Sequence, residues 1–148
     1  MVKYEELHAQ NHHITELTNI LKAIMADRTL LDAKVTCELF FRYVDAVKEH
    51  LDVTDRGLYT KLLASKDNDM TELANKFMSG SQEIKRMFDR YLKKWCKLNN
   101  RSLAVKNHDS FVEHTDEIFD VILDRIQDET EKLYPVVREL SGEGNKAA

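Results

Sequence analysis

Residues 111–135 read FVEHTDEIFDVILDRIQDETEKLYP. Phe111, Thr115, Ile118 and Ile122 recur at steps of three and four, the repeat of one face of an α-helix. Continued at the same spacing, that face meets Arg125 and Glu129, then Lys132 or Leu133, before a Leu-Tyr-Pro ending closes it. The pattern predicts a long helix with its inner face toward a core, and it places a charged pair on that inner face. An unpaired charge buried there costs several kcal/mol, so the pair must be satisfied by each other, by neighbours or by a guest.

Working back along the chain, three more segments carry the same period. The first helix is predicted from about Val2 to Ala26, with Ile14, Leu17, Leu21 and Ile24 inward. DRTLLD then turns the chain, with Thr29 or Asp32 as the next N-cap. The second helix runs from about Leu31 to Ala64 on a stripe of Phe40, Tyr43, Val47, Leu51, Thr54 and Leu58, with Gly57 loosening its last turns. SKDND breaks it. The third runs from about Met70 to Leu98, with Leu73, Phe77, Ile84, Phe88, Tyr91 and Trp95 inward, and NNRSLAVKNHD supplies the longest connector. The fourth runs from about Ser110 to Leu140. Long helices joined by short turns define an all-α, up-down-up-down antiparallel four-helix bundle over residues 1–140. The small, polar residues at 141–148 are expected to form a flexible C-terminal tail.

Composition agrees. Four glycines and one proline in 148 residues are too few to punctuate a strand-rich fold. A formal net charge of -4 argues against a nucleic-acid partner, since phosphate binding needs a basic surface. No apolar run approaches the ~20 residues that span a bilayer, and the first residues carry no apolar stretch of the kind a secretory signal needs. Cys37 and Cys96 fall on separate helices and read as free, buried thiols of a reducing compartment, so a cytoplasmic location is expected.

Antiparallel helices rise equally per residue, so a residue faces its mirror image across the turn between them. Folding at the second turn sets Thr54 beside Ser81, and folding at the third sets Ser81 beside Arg125. Folding at the first brings His13 within about a turn of His50. One cross-section of the bundle is therefore expected to hold His13, His50, Thr54, Ser81, Arg125 and Glu129, with Asp55 nearby and apolar layers on either side. Gly80 and Ser81 are small for inward positions and leave room for a long side chain, water or a ligand. Such a layer can bind metal through imidazole and carboxylate, fix helix register through an internal ion pair, or line a small-molecule pocket.

With HLDVTDRGLY starting at His50 and RIQDETEKLYP starting at Arg125, the chain resembles hemerythrin-like (HHE cation-binding) domains. These are four-helix bundles with a diiron site in the middle layer, whose second helix reads H-L-x-x-E-E-x-x-L-Y and whose fourth reads H-x-x-x-E-E-x-x-L-Y-P. The resemblance implies ligand positions at His13 (or His12), His50, residue 54, the neighbourhood of residue 81, residue 125 and Glu129. Residue 54 is threonine, with Asp55 the nearest carboxylate; residue 81 is serine; and residue 125 is arginine. The metal ligands that survive are at most His13, His50 and Glu129, too few for a diiron centre. A guanidinium does not deprotonate and cannot ligate, so Arg125 is expected to stand where a cation would sit, neutralised by Glu129 or Asp55 and completed by His13 or His50. The other readings are an arginine that snorkels to the bundle edge, and a residual metal site. The expectation is a non-enzymatic regulatory or adaptor domain holding no cofactor, with a protein partner or a homodimer. The alternative is a metal-binding protein, iron- or oxygen-sensing or oxygen-carrying, with a reduced, non-standard site, iron being the metal implied.

Other signals are weaker. Glu5 and His8 have the E-x-x-H spacing of ferritin-like sites, but in a single copy, where two are needed. His108 and His114 flank the start of the fourth helix and read as a cap and a partly exposed side chain. Phe41 and Val44 lie off the main stripe and suit either a partner surface or a broad buried face. No G-x-S-x-G, Walker or Rossmann pattern supports hydrolase, phosphate-loop or dinucleotide chemistry.

Overall fold

The computed structural model describes residues 3–140; the tail expected at 141–148 lies outside the described residues. Four helical rods form the bundle. Rod one is α1 (Tyr4–Met25), followed by a single turn, α2 (Arg28–Leu31). Rod two comprises α3 (Lys34–Val53), a π-helical stretch at Thr54–Tyr59 and α4 (Thr60–Leu63). Rod three is α5 (Asn68–Trp95). Rod four comprises α6 (His108–Asp128), a second π-helical stretch at Glu129–Leu133 and α7 (Tyr134–Leu140).

Side-chain bonds between the rods fix the up-down order. The start of rod four reaches the end of rod one, where His108 Nε2 lies 2.9 Å from the Met25 carbonyl. The end of rod four returns to the start of rod one, where the Tyr134 hydroxyl donates to the Leu7 carbonyl at 3.4 Å. The apolar stripes are buried nearly as the period predicts. Ile14, Leu17 and Leu21, the whole rod-two stripe, and Phe77, Ile84, Phe88, Tyr91 and Trp95 are all buried. Ile24 is only half-buried and Met25 takes the inward place. Phe41 and Val44, each 3% exposed, are packed into the core, so the broad buried face is the one the structure adopts.

Helix ends differ in detail from expectation. Asp27 caps α2 by accepting from the Thr29 N–H at 2.9 Å, and α3 starts after Ala33 with no side-chain cap, so neither Thr29 nor Asp32 is the N-cap. Asn107, not His108, caps α6 by accepting from the Ser110 N–H at 3.1 Å. Rod three stops at Trp95, because the chain then pairs back on itself as two short antiparallel strands, β1 (Cys96–Lys97) and β2 (Ser102–Leu103). Arg101, at φ 51, makes the left-handed residue of that hairpin, and its guanidinium ties it to rod two through Asp45 at 2.9 and 3.2 Å.

The core falls into two apolar clusters. The larger fills the bundle from Ile14 to the hairpin. The smaller contains Leu7, Leu58, Tyr59, Leu62, Ala74, Phe77, Leu133, Tyr134 and Val137, at the end where rod two turns into rod three. A polar layer separates them, and the two π-helical stretches run from it into the smaller cluster.

Candidate polar centre of the bundle

Each side of the layer begins with a helical repeat. His50, Thr54, Leu58 and Tyr59 on rod two have the same offsets as Arg125, Glu129, Leu133 and Tyr134 on rod four. In both rods the helix widens to π geometry from the second member onward, and the Tyr134 N–H bonds the Glu129 carbonyl five residues back. A π-turn adds a residue to the local repeat, so the adjacent Leu-Tyr pair that follows can turn inward as a unit. Leu58, Tyr59, Leu133 and Tyr134 are all at most 4% exposed.

Glu129 is the hub. It is fully buried, and its two carboxylate oxygens are both engaged. Oε1 lies 2.7 Å from His50 Nε2 and accepts from the Tyr134 hydroxyl at 3.2 Å. Oε2 accepts from Arg125 Nε at 3.1 Å. Burial pushes the Glu129 carboxyl up, but the hydrogen bond and charge of His50, then those of Arg125, outweigh it and hold the group below its ordinary value. Glu129 is therefore an anion in a dry interior, kept so by its neighbours.

Arg125 spans the layer, with its side chain 9% exposed. Besides Glu129, its Nη2 donates to the Phe77 carbonyl at 3.0 Å and to the Tyr59 hydroxyl. The guanidinium carbon lies 4.6 Å from the Phe77 ring centre, a cation–π contact. Nη1 faces Gly80, where an added Cβ would come within 2.8 Å. The small residue at 80 is what admits the guanidinium between the rods. Burial pushes the Tyr59 hydroxyl up to about 12, the Arg125 charge drawing it partly back, and burial raises Tyr134 likewise, so both phenols stay protonated at neutral pH.

The remaining positions divide. His50, 3% exposed, joins the layer through Glu129 and, at Nδ1, through Gln10 Oε1 at 2.7 Å. Thr54 is buried but turns its hydroxyl back to the His50 and Leu51 carbonyls at 3.1 and 3.0 Å. Ser81 is buried and donates to Asp55 Oδ1 at 3.1 Å, and Asp55 also pairs with Lys85. Asp55 thus belongs to a half-buried satellite at the layer's edge and does not neutralise Arg125. His13 is the expectation that the structure corrects: it lies on the exposed face of rod one, as does His12, which pairs with Glu16 at 2.9 Å. The inward stripe of rod one runs Leu7, Asn11, Ile14, and one residue before Ile14 is about 100° off that face. Gln10, three residues earlier, meets His50 instead.

Gln10, Tyr59, Tyr134 and the Phe77 carbonyl were absent from the expected layer. The two tyrosines had a signal in the sequence, the Leu-Tyr pair at matching offsets from His50 and Arg125. The backbone carbonyl had none.

A sequence profile of the hemerythrin HHE cation binding domain matches residues 2–137. The chain belongs to that family, and the bundle is its fold. Comparison with curated proteins and with solved structures returns no significant match. The family's cation has no fitting donor set here. Among the described residues no group of three or more His, Cys, Asp or Glu could hold a metal ion. Of the implied ligands only His50 and Glu129 reach the layer, both are already bonded, and a guanidinium that cannot ligate lies against the second. No described helix is long and apolar enough to cross a membrane.

Proposed function

We propose that this hemerythrin-like domain is a non-enzymatic regulatory or adaptor module in which Arg125 replaces the family's cation. The observation that carries the reading is the Arg125 guanidinium, bonded at once to Glu129, Tyr59 and the Phe77 carbonyl in the space opened by Gly80. A monovalent fixed cation closes the layer without redox chemistry and leaves the bundle a rigid scaffold, whose work falls to its outer surface. The His50–Glu129 contact supports a second reading, a reduced site for one metal ion, because one imidazole and one carboxylate lie 2.7 Å apart. That reading requires Arg125 to leave its three partners.

Iron loading separates the two. Purified chain incubated with ferrous iron under air and then desalted is expected to retain no stoichiometric metal by elemental analysis. Stoichiometric iron with an oxo-to-iron absorption band overturns the proposal. Arg125→His with Thr54→Glu and Ser81→His should move the protein toward metal retention, since those changes restore donors at three layer positions.

A further inference from the structure

The second half of α5 concentrates positive charge on an acidic chain. Arg86, Arg90 and Lys93 follow steps of four and three along one exposed face, with Lys94 beside them and Lys97 exposed just beyond the helix in β1. Arg86 pairs with Glu83 at 2.7 Å, whereas Arg90, Lys93, Lys94 and Lys97 form no salt bridge among the described residues. Complementing the carbonyl end of the helix accounts for Lys93 and Lys94 in the last turn. It does not account for Arg90 or Arg86, which lie further back.

Beside this face, α5 and α6 enclose an open groove of about 400 Å³. Tyr91, Trp95 and Ile118 floor it, and Arg90, Lys94 and His114 rim it, with Glu117 the one acidic member. The Lys94 ammonium lies 5.2 Å from the Trp95 ring centre, and the His114 ring meets Trp95 edge-on at 5.5 Å. Trp95 is 5% exposed, yet its indole N–H has no acceptor among the described residues. That nitrogen is itself closed to solvent, so the groove's polar contacts come from its rim, where Arg90, Lys94 and His114 outnumber Glu117 and favour an acidic occupant. The volume suits one or two side chains of a partner and is too small for a packed helix.

We propose that this groove docks an acidic peptide segment of a protein partner. An apolar side chain of the segment rests on Tyr91, Trp95 and Ile118, and flanking carboxylates pair with Arg90 and Lys94. The proposal gives the adaptor reading above its partner class and rests on it.

The chain contains one tryptophan, so its emission reports on this groove directly. Full-length protein is titrated with a peptide of alternating glutamate and leucine, with the same peptide carrying glutamine for glutamate, and with inorganic phosphate. A saturable change in Trp95 emission is expected for the glutamate peptide alone. It should weaken with added salt, and by about tenfold in Arg90→Gln/Lys94→Gln. Lys66→Gln/Lys76→Gln, exposed elsewhere, should bind as the unaltered chain does. No response, a response that the Arg90→Gln/Lys94→Gln variant retains, or an equal response to phosphate overturns the proposal. Circular dichroism checks that each variant is folded. Iron content is measured on the same preparation, so a chain that holds stoichiometric iron yet binds the peptide refutes the metal-free reading and keeps the groove.

Discussion

The two apolar clusters on either side of the polar layer are held by different means. The larger is closed by apolar side chains from all four rods, such as Leu21, Phe40, Leu92 and Phe119, each fully buried. Within it, hydrogen bonds such as Tyr91 to Thr115 at 2.6 Å are local additions. The smaller cluster depends on the layer. Tyr59 and Tyr134 belong to it by their rings and to the layer by their hydroxyls, and Phe77 offers both a ring and a carbonyl to Arg125. Removing the charge network therefore strips this end of its partners while leaving the larger cluster intact. One bundle thus contains a part specified by hydrophobic burial and a part specified by a salt-bridge network.

The sharpest way to break that distinction is Arg125→Leu. It leaves Glu129 with His50 and Tyr134 but without its guanidinium, and should destabilise the domain by ~3–5 kcal/mol in urea unfolding at neutral pH. Hydrogen exchange on the same variant should show the Tyr59 and Tyr134 turns opening well before the larger cluster. Uniform loss of protection across both ends would refute the distinction.

Cavity variants probe it from the apolar side. Leu21→Ala in the larger cluster and Leu62→Ala in the smaller should each cost about 2–5 kcal/mol, both side chains being fully buried. Leu62→Ala should raise exchange only at its own end, whereas Leu21→Ala should lower protection everywhere, because the larger cluster holds the rods together.

Gly80→Ala should cost about 1–3 kcal/mol by forcing the guanidinium aside. At an unobstructed helix position the same change would instead stabilise by about 1 kcal/mol. Thermal unfolding gives the sign, and a gain would mean that Arg125 is not held against residue 80.

Acid gives the most gradual effect. The Glu129 carboxyl is held below its ordinary 4.5, so on acidification the unfolded chain takes up that proton first. Its contribution is complete above about pH 4.5 and is lost as pH falls through the lower folded value. Stability against pH should therefore descend on the acid side, and Glu129→Gln should flatten that limb. An unchanged limb would show that the carboxylate is not held as an anion by its neighbours.

Much of this was legible in the chain. The stripe from Phe111 to Ile122 marked rod four, and its continuation put Arg125 and Glu129 inward, where the structure places both. Mirror-image counting across the turns brought Thr54, Ser81 and Arg125 to one level because helices rise evenly. It erred on rod one, where His13 was taken for a face that belongs to Asn11 and Ile14. Histidine is plausible on either side of an amphipathic helix, so residue type offered no check. The hairpin after Trp95 was also missed, since strands of two residues are too short to show a period.

The sequence by itself determined the four rods, their antiparallel order and the inward pair on rod four, because apolar periodicity and turn chemistry act over neighbouring residues. Only the tertiary structure decided which partners that pair takes. Gln10 and the Phe77 carbonyl reach the layer through the rotations of two other rods. Those are set by packing across the bundle, a balance of long-range contacts that no local pattern of residues encodes.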